Sequence, residues 1–166
     1  MKRNAKGSRY WLCLPVVVFW GLSLSSAQAQ FQPAGPAASA SSIPSEHLVQ
    51  PRELNEFLQK ASSPPLILQV GSHLLFSEAH IPGAEYVGPG SQSGGLELLA
   101  KRAAALPKDK FIVLYCGCCP WERCPNIGPA YRQLRDMGFT NVKVLYLANN
   151  FGADWVAKGY RAEKGR

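Results

Sequence analysis

Four of the five cysteines in this 166-residue chain crowd into nine positions of "FIVLYCGCCPWERCPN" (111–126): Cys116, Cys118, Cys119 and Cys124. Three kinds of chemistry fit that spacing. The first is nucleophilic. Cys116 directly follows a run of apolar β-formers, and Gly117 lets the chain turn there. A loop in that place can aim successive backbone N–H groups inward above the next helix, forming an anion cradle. Such dipoles stabilise a thiolate, lower the thiol pKa from about 8.5 and activate the sulfur. Arg123 adds a fork of donors for an anionic substrate or leaving group.

The second chemistry is metal binding. C-x-C-C-x4-C offers four soft ligands, and a thiolate cluster of this density could hold Cu(I). Structural zinc, however, takes two C-x2-C-like pairs from separated segments. The three histidines lie elsewhere in the chain, so no metal and no other cofactor is assigned. The third is a disulfide knot. Pairing the neighbours Cys118 and Cys119 is sterically poor. That leaves Cys116–Cys119 with Cys118–Cys124, or Cys116–Cys118 with Cys119–Cys124. Cys116 and Cys119 also have the C-x-x-C spacing of dithiol redox centres. A single cysteine is most often a buried, inert thiol, but the strand-end position favours chemistry at Cys116. The candidate set is therefore Cys116 as nucleophile, with Gly117, Cys118, Cys119, Trp121 and Arg123 around the substrate. Cys118, Cys119 and Cys124 are the candidate resolving or disulfide partners.

Those residues need a scaffold, and the surrounding periodicities supply one. "PRELNEFLQKA" (51–61) places Leu54, Phe57 and Leu58 on one helical face, with Pro51 suited to the first turn. "PLILQV" (65–70) and "KFIVLY" (110–115) read as buried strands, the second apolar on both faces. "GLELLAKRAAAL" (95–106) predicts a helix stopped by Pro107. "PAYRQLRDMGF" (129–139) predicts another, ended by Gly138 at C′. "NVKVLYL" (141–147) is the next strand, and "ADWVAKGY" (153–160) a short closing helix with Trp155 in the core. Strands alternate with helices, so the expected class is α/β with a central, mainly parallel sheet and helices on both faces. Ligands of such sheets bind beyond the carboxyl ends of the strands. The cysteine loop lies at that end.

The N-terminus reads differently. Residues 1–29 have a basic start (Lys2, Arg3, Lys6, Arg9), the apolar stretch "YWLCLPVVVFWGLSL" and a small-residue "AQA" at 27–29, the pattern of a secretory signal peptide cut after Ala29. Removing those four cations takes the net charge from +7 to +3, since all eleven acids lie downstream. The charge case for a nucleic-acid partner goes with them. Cys13 leaves as well. Residues 30–45, rich in Pro, Ala, Ser and Gly, read as a flexible leader, and 46–166 as the one domain. The expected location is periplasmic or secreted, with no membrane contact after cleavage, where thiols tend towards oxidation unless reduced.

Several segments resemble a rhodanese-like domain over about residues 46–165. They are "HIPGAEYV" (80–87), "IVLYC" (112–116), "LRDMGFTNVKVL" (134–145) and "DWVAKGYRAEKG" (154–165), in this order. The resemblance implies a sulfurtransferase in which Cys116 accepts a sulfane sulfur as a persulfide. Loop amides would hold it, and basic groups would orient a small anionic donor such as thiosulfate. A thiol or cyanide-like acceptor would then take the sulfur, and a periplasmic reductant would keep the thiols reduced. A thiol–disulfide protein using Cys116 and Cys119, or a non-enzymatic soft-metal or sulfur carrier, is the alternative. Two departures stand out. The family usually has Asp-Val-Arg where this chain has Gln69-Val70-Gly71, and its C-x4-R loop is here C-x6-R, from Cys116 to Arg123. The loop is about five residues longer than usual, counted back from Gly138. His80 is expected to make a structural hydrogen bond, and Trp121 either lines the pocket or caps the loop against the sheet. Glu122 reads as a solvated charge and Asn149-Asn150 as a turn. His47 and His73 receive no role.

Overall fold

Every residue of "IVLY" is buried, because this segment is the middle strand of a sheet covered on both faces. The computed structural model describes residues 40–165. The stretch read as a signal peptide and most of the stretch read as a leader lie outside that range. The strands are β1 (Leu48–Val49), β2 (Leu66–Gln69), β3 (Glu85–Tyr86), β4 (Ile112–Tyr115) and β5 (Val142–Leu145). They pair in the order β1-β5-β4-β2-β3, all parallel. The α/β class with a parallel sheet is as the alternating pattern predicts.

Side-chain alternation along β4 divides the core. Ile112 and Leu114 face one apolar cluster, with Leu99 of α3 (Ser93–Ala103) and Ile127, Ala130 and Leu134 of α4 (Ile127–Asp136). Val113 and Tyr115 face the other, with Leu54 of α1 (Pro51–Lys60) and Phe151 of α5 (Phe151–Asp154). Period-two geometry then sends the next residue, Cys116, to the α3–α4 side. The helix that follows the cysteine loop ends as its sequence predicts. Gly138, at φ +87°, donates its N–H to the Arg135 carbonyl while Phe139 donates to Leu134, the paired bonds of a Schellman motif.

The structure departs from the sequence reading in four places. Strand β1 has two residues, too short to show a period, and no pattern predicts it; nor does any predict α2 (His73–Glu78). The closing helix is shorter. It stops at Asp154, and Trp155 leaves helical geometry (φ −122°, ψ −64°) before a 3-10 turn over Val156–Lys158. That break buries the indole of Trp155 and directs its N–H to the Arg161 carbonyl, 2.9 Å away. Finally, the end of the stretch read as a leader is part of the core. Ala40–Ser42 forms a 3-10 turn, and Ala40 and Ile43 are buried in the same cluster as Trp121 and Cys124.

Candidate functional site

The site begins at the carboxyl end of β4. Cys116 is buried and lines a cleft of about 240 Å³. Gly117 turns the chain there with φ +80°, a conformation that favours glycine. A Cβ at Gly117 would also lie 2.7 Å from that of Phe151, whose N–H donates to the Gly117 carbonyl at 3.2 Å. The first residue of α5 is thereby pinned to the loop, and its ring forms one wall of the cleft.

Beneath the loop lies Gln69, the last residue of β2, which is 2% exposed. Its Nε2 donates to the Cys116 carbonyl at 3.1 Å, and its Oε1 accepts from the Gly71 N–H at 3.1 Å. Gln69 thus fixes the strand end that carries the nucleophile. Gly71 has its own constraint: the Cys116 sulfur occupies the space in which a side chain at 71 would stand. The Gln69-Val70-Gly71 departure is therefore a different way of holding the same cysteine.

Asn126 is the residue that sequence reasoning passed over. It occupies the N-cap of α4, where an asparagine is explained by capping alone. Its side chain does not cap the helix. Instead Nδ2 donates to the Cys116 sulfur at 3.2 Å and lies 3.8 Å from that of Cys118, while Oδ1 accepts from the Ser91 N–H at 3.0 Å. The backbone N–H of Cys118 also points at the Cys116 sulfur. Two donors therefore converge on one thiol.

All four loop cysteines are free thiols. The Cys116 and Cys118 sulfurs are 3.2 Å apart, and those of Cys118 and Cys119 are 2.8 Å apart. The 3-10 turn Trp121–Arg123 folds the chain back, so that the Cys116, Cys118 and Cys124 sulfurs all lie within 4.8 Å of one another. Cys119 stands outside that trio and leans on the Arg123 carbonyl. The charge within the cluster follows from these contacts. Hydrogen bonds from Cys116 and Cys118, and the Asn126 and Ile127 amides at the start of α4, outweigh burial and hold Cys124 far below the ordinary thiol range. Cys116 is pushed up to about 12: the Cys118 thiol favours its thiolate, but the hydrogen bond to Cys124, burial and the Cys124 charge prevail. Cys118 is pushed up by its bonds to Cys116 and Cys124, and Cys119 chiefly by burial. One negative charge in so small a space excludes a second.

Of the residues expected around a substrate, Gly117 and Cys118 line the cleft with Cys116. Cys119, Trp121 and Arg123 do not. Arg123 is exposed. Trp121 is buried behind the thiols, its ring 5.1 Å from that of Tyr146 and its backbone N–H donating to the Ala148 carbonyl at 3.3 Å, so it caps the loop against the sheet. Leu75, Ala79, Tyr115 and Val156 add apolar lining, and Gln69, Glu78, Asn150 and Gly152 complete it. Among the described residues, no cation lines the cleft. His80 makes the structural contact its setting predicts, bonding through Nδ1 to the Phe76 carbonyl at 2.8 Å and stacking on the Phe76 ring.

Comparison with known proteins agrees with this architecture. No curated protein sequence matches the chain. Among solved structures, a protein of Bacillus halodurans is 22% identical, covering 71% of this chain and 77% of its own, with a TM-score of 0.56. The rhodanese-like domain of an Anabaena sp. protein is 25% identical, covering 71% and 79%, with a TM-score of 0.53. A thiosulfate sulfurtransferase of Pseudomonas aeruginosa is 21% identical, covering 80% of this chain and 21% of its own, with a TM-score of 0.51. The sequence profile of the rhodanese-like domain matches residues 50–147, more than half of the chain. With its parallel sheet and its cysteine at the end of the central strand, the chain belongs to the rhodanese-like domain family.

Proposed function

We propose that the protein is a sulfurtransferase that carries sulfane sulfur as a persulfide on Cys116. The observation behind this reading is the setting of Cys116: the residue lines the cleft at the end of the central strand, and its sulfur accepts from Asn126 Nδ2 at 3.2 Å. At rest, the three facing thiols share one negative charge, drawn towards Cys124 by the Asn126 and Ile127 amides. When a donor enters the cleft, Cys116 passes its proton to the neighbouring Cys124 thiolate and attacks the sulfane sulfur. The sulfur–sulfur bond of the donor breaks, the donor's remaining half leaves with the electron pair, and Cys116 keeps the sulfur as a persulfide. Asn126 and the Cys118 N–H stabilise the anionic sulfur at each stage. An acceptor thiolate then attacks the terminal sulfur, carries it away and returns Cys116 to its thiolate.

The lining of the cleft bears on the donor. Glu78 and the apolar walls favour sulfane sulfur on an uncharged or weakly charged organic carrier over the thiosulfate dianion. The Pseudomonas relative, whose description names thiosulfate, supports sulfur transfer as the reaction type. The N-terminal pattern adds export to the reading; a mature protein beginning at Gln30 tests that part. Transfer is tested by steady-state assay of an organic persulfide donor with a thiol acceptor. Turnover by the wild-type chain and its loss in Cys116→Ser support the reading, and equal turnover by both overturns it.

A second reading rests on the 3.2 Å between Cys116 and Cys118. Cys118 attacks the Cys116 sulfur of the persulfide, forming a Cys116–Cys118 disulfide and releasing hydrosulfide, after which an external dithiol reduces the disulfide. Hydrosulfide release in equimolar amount from loaded wild type, absent in Cys118→Ser, distinguishes this route from direct transfer.

A further inference from the structure

We infer that Cys116, Cys118 and Cys124 form a three-coordinate binding site for a soft, thiophilic cation of the Cu(I) type, and that the ion and the persulfide compete for the same sulfur. Linear spacing argues against metal, because all four cysteines come from one short segment. The fold removes that objection. The 3-10 turn Trp121–Arg123 doubles the chain back and brings Cys124 from the far end of the loop to face Cys116 and Cys118. The three ligands approach from the end of β4, from the turn after it and from the residue that follows the 3-10 turn.

The dimensions fit three-fold coordination. Metal–sulfur bonds of about 2.3 Å hold the sulfurs of a planar trigonal site about 4.0 Å apart. The three sulfurs here lie within 4.8 Å of one another, with the Cys116–Cys118 pair at 3.2 Å. Side-chain rotations that move sulfurs by less than an ångström or so regularise the triangle. A fourth, tetrahedral ligand is poorly supplied. The Cys119 sulfur is 2.8 Å from that of Cys118 but is not within 4.8 Å of all three of the trio. As the chain neighbour of Cys118 it turns to the Arg123 carbonyl at 3.8 Å, so zinc's preferred geometry is disfavoured relative to that of a soft monovalent ion.

The surroundings suit such an ion as well. Asn126 Nδ2 donates to the Cys116 sulfur and, more distantly, to that of Cys118; the Asn126 and Ile127 amides face that of Cys124. These outer contacts orient the ligands and spread the negative charge of a thiolate complex. Trp121, Ile127, Leu145 and Leu147 form an apolar backing behind the sulfurs, while the cleft gives access from the Cys116 and Cys118 side. Binding is not a redox step. The ion keeps its oxidation state, and each thiol that becomes a ligand releases its proton to solvent.

The test is an anaerobic titration of the reduced chain with Cu(I), in competition with a chromophoric Cu(I) chelator. Each sample is then treated with an organic persulfide donor and weighed intact. One ion per chain is expected. Cys116→Ser, Cys118→Ser and Cys124→Ser should each weaken binding by at least about tenfold, while Cys119→Ser changes it by less than about threefold. Copper-loaded protein should fail to gain sulfur that metal-free protein gains. Absence of stoichiometric binding, Cys119→Ser as damaging as the other three, or tighter binding of Zn(II) than of Cu(I) would overturn the inference. The persulfide reading is judged separately by the metal-free samples: if they gain no sulfur, that reading fails whatever copper does.

Discussion

Gly71 and Cys116 share a space with no room for a further carbon. A Cβ at position 71 would stand 2.9 Å from the Cys116 sulfur and 3.0 Å from its carbonyl oxygen. Gly71→Ala must therefore displace the nucleophile. Overpacking of this kind costs about 1–3 kcal/mol of stability, and a misplaced sulfur should slow persulfide formation by about tenfold or more. Single-turnover loading and a denaturation midpoint measure the two effects. Gly94→Ala is the control, since no atom lies within 4 Å of its added carbon; it should load sulfur at the wild-type rate.

Gln69 makes a second test of how the strand end is held. In Gln69→Leu the Cys116 carbonyl and the Gly71 N–H lose their partners in a buried setting. Each unsatisfied group costs about 1–3 kcal/mol. The variant should unfold at lower denaturant and load sulfur more slowly. Unchanged stability would mean that the carboxamide is not what secures the loop.

The charge arrangement predicts a pH dependence in the metal-free protein. Cys116 is pushed up to about 12, so only a small fraction is thiolate at neutral pH. Alkylation follows the thiolate fraction and should climb steadily with pH, without levelling off below about pH 10. Cys124→Ser removes a hydrogen bond and a charge that raise Cys116, and leaves the Cys118 bond that lowers it. The Cys116 pKa should then fall and its alkylation near neutral pH should accelerate. Iodoacetamide rates with peptide mapping give both profiles; identical curves would exclude Cys124 as the holder of the resting charge.

Donor preference follows from the cleft walls. Glu78 lines the cleft and Arg123 does not. Glu78→Gln removes about 1 kcal/mol of repulsion against a dianion at a solvent-facing site, so the KM for thiosulfate should drop severalfold. Arg123→Ala should leave that KM unchanged. A large rise in KM for Arg123→Ala would return the arginine to the role that its place in the sequence suggests.

Much of this scaffold is legible in the sequence where patterns run long enough. The unbroken apolar run at 111–115 marks the central strand, and the Leu–Gly–Phe signals at 134–139 mark the end of α4. The two-residue strands β1 and β3 carry no period at all. The site is harder to read, because its key relations are non-local or double-purposed. Asn126 looks like a helix cap until its carboxamide is seen on the Cys116 sulfur. Cys124 is eight residues from Cys116 in the chain, and only the turn through Trp121 reveals that the two thiols face each other. Arg123, a residue type suited to anion binding in the expected part of the loop, is exposed after the same turn and does not line the cleft.

The central claim is that Cys116 carries sulfur. Its most direct measurement is the intact mass of the reduced, metal-free protein after exposure to an organic persulfide donor, with proteolytic mapping of any adduct. The prediction is a gain of one sulfur atom located on Cys116, retained in Cys119→Ser and absent in Cys116→Ser. A gain that maps to Cys124 or Cys118, or that survives Cys116→Ser unchanged, would contradict it.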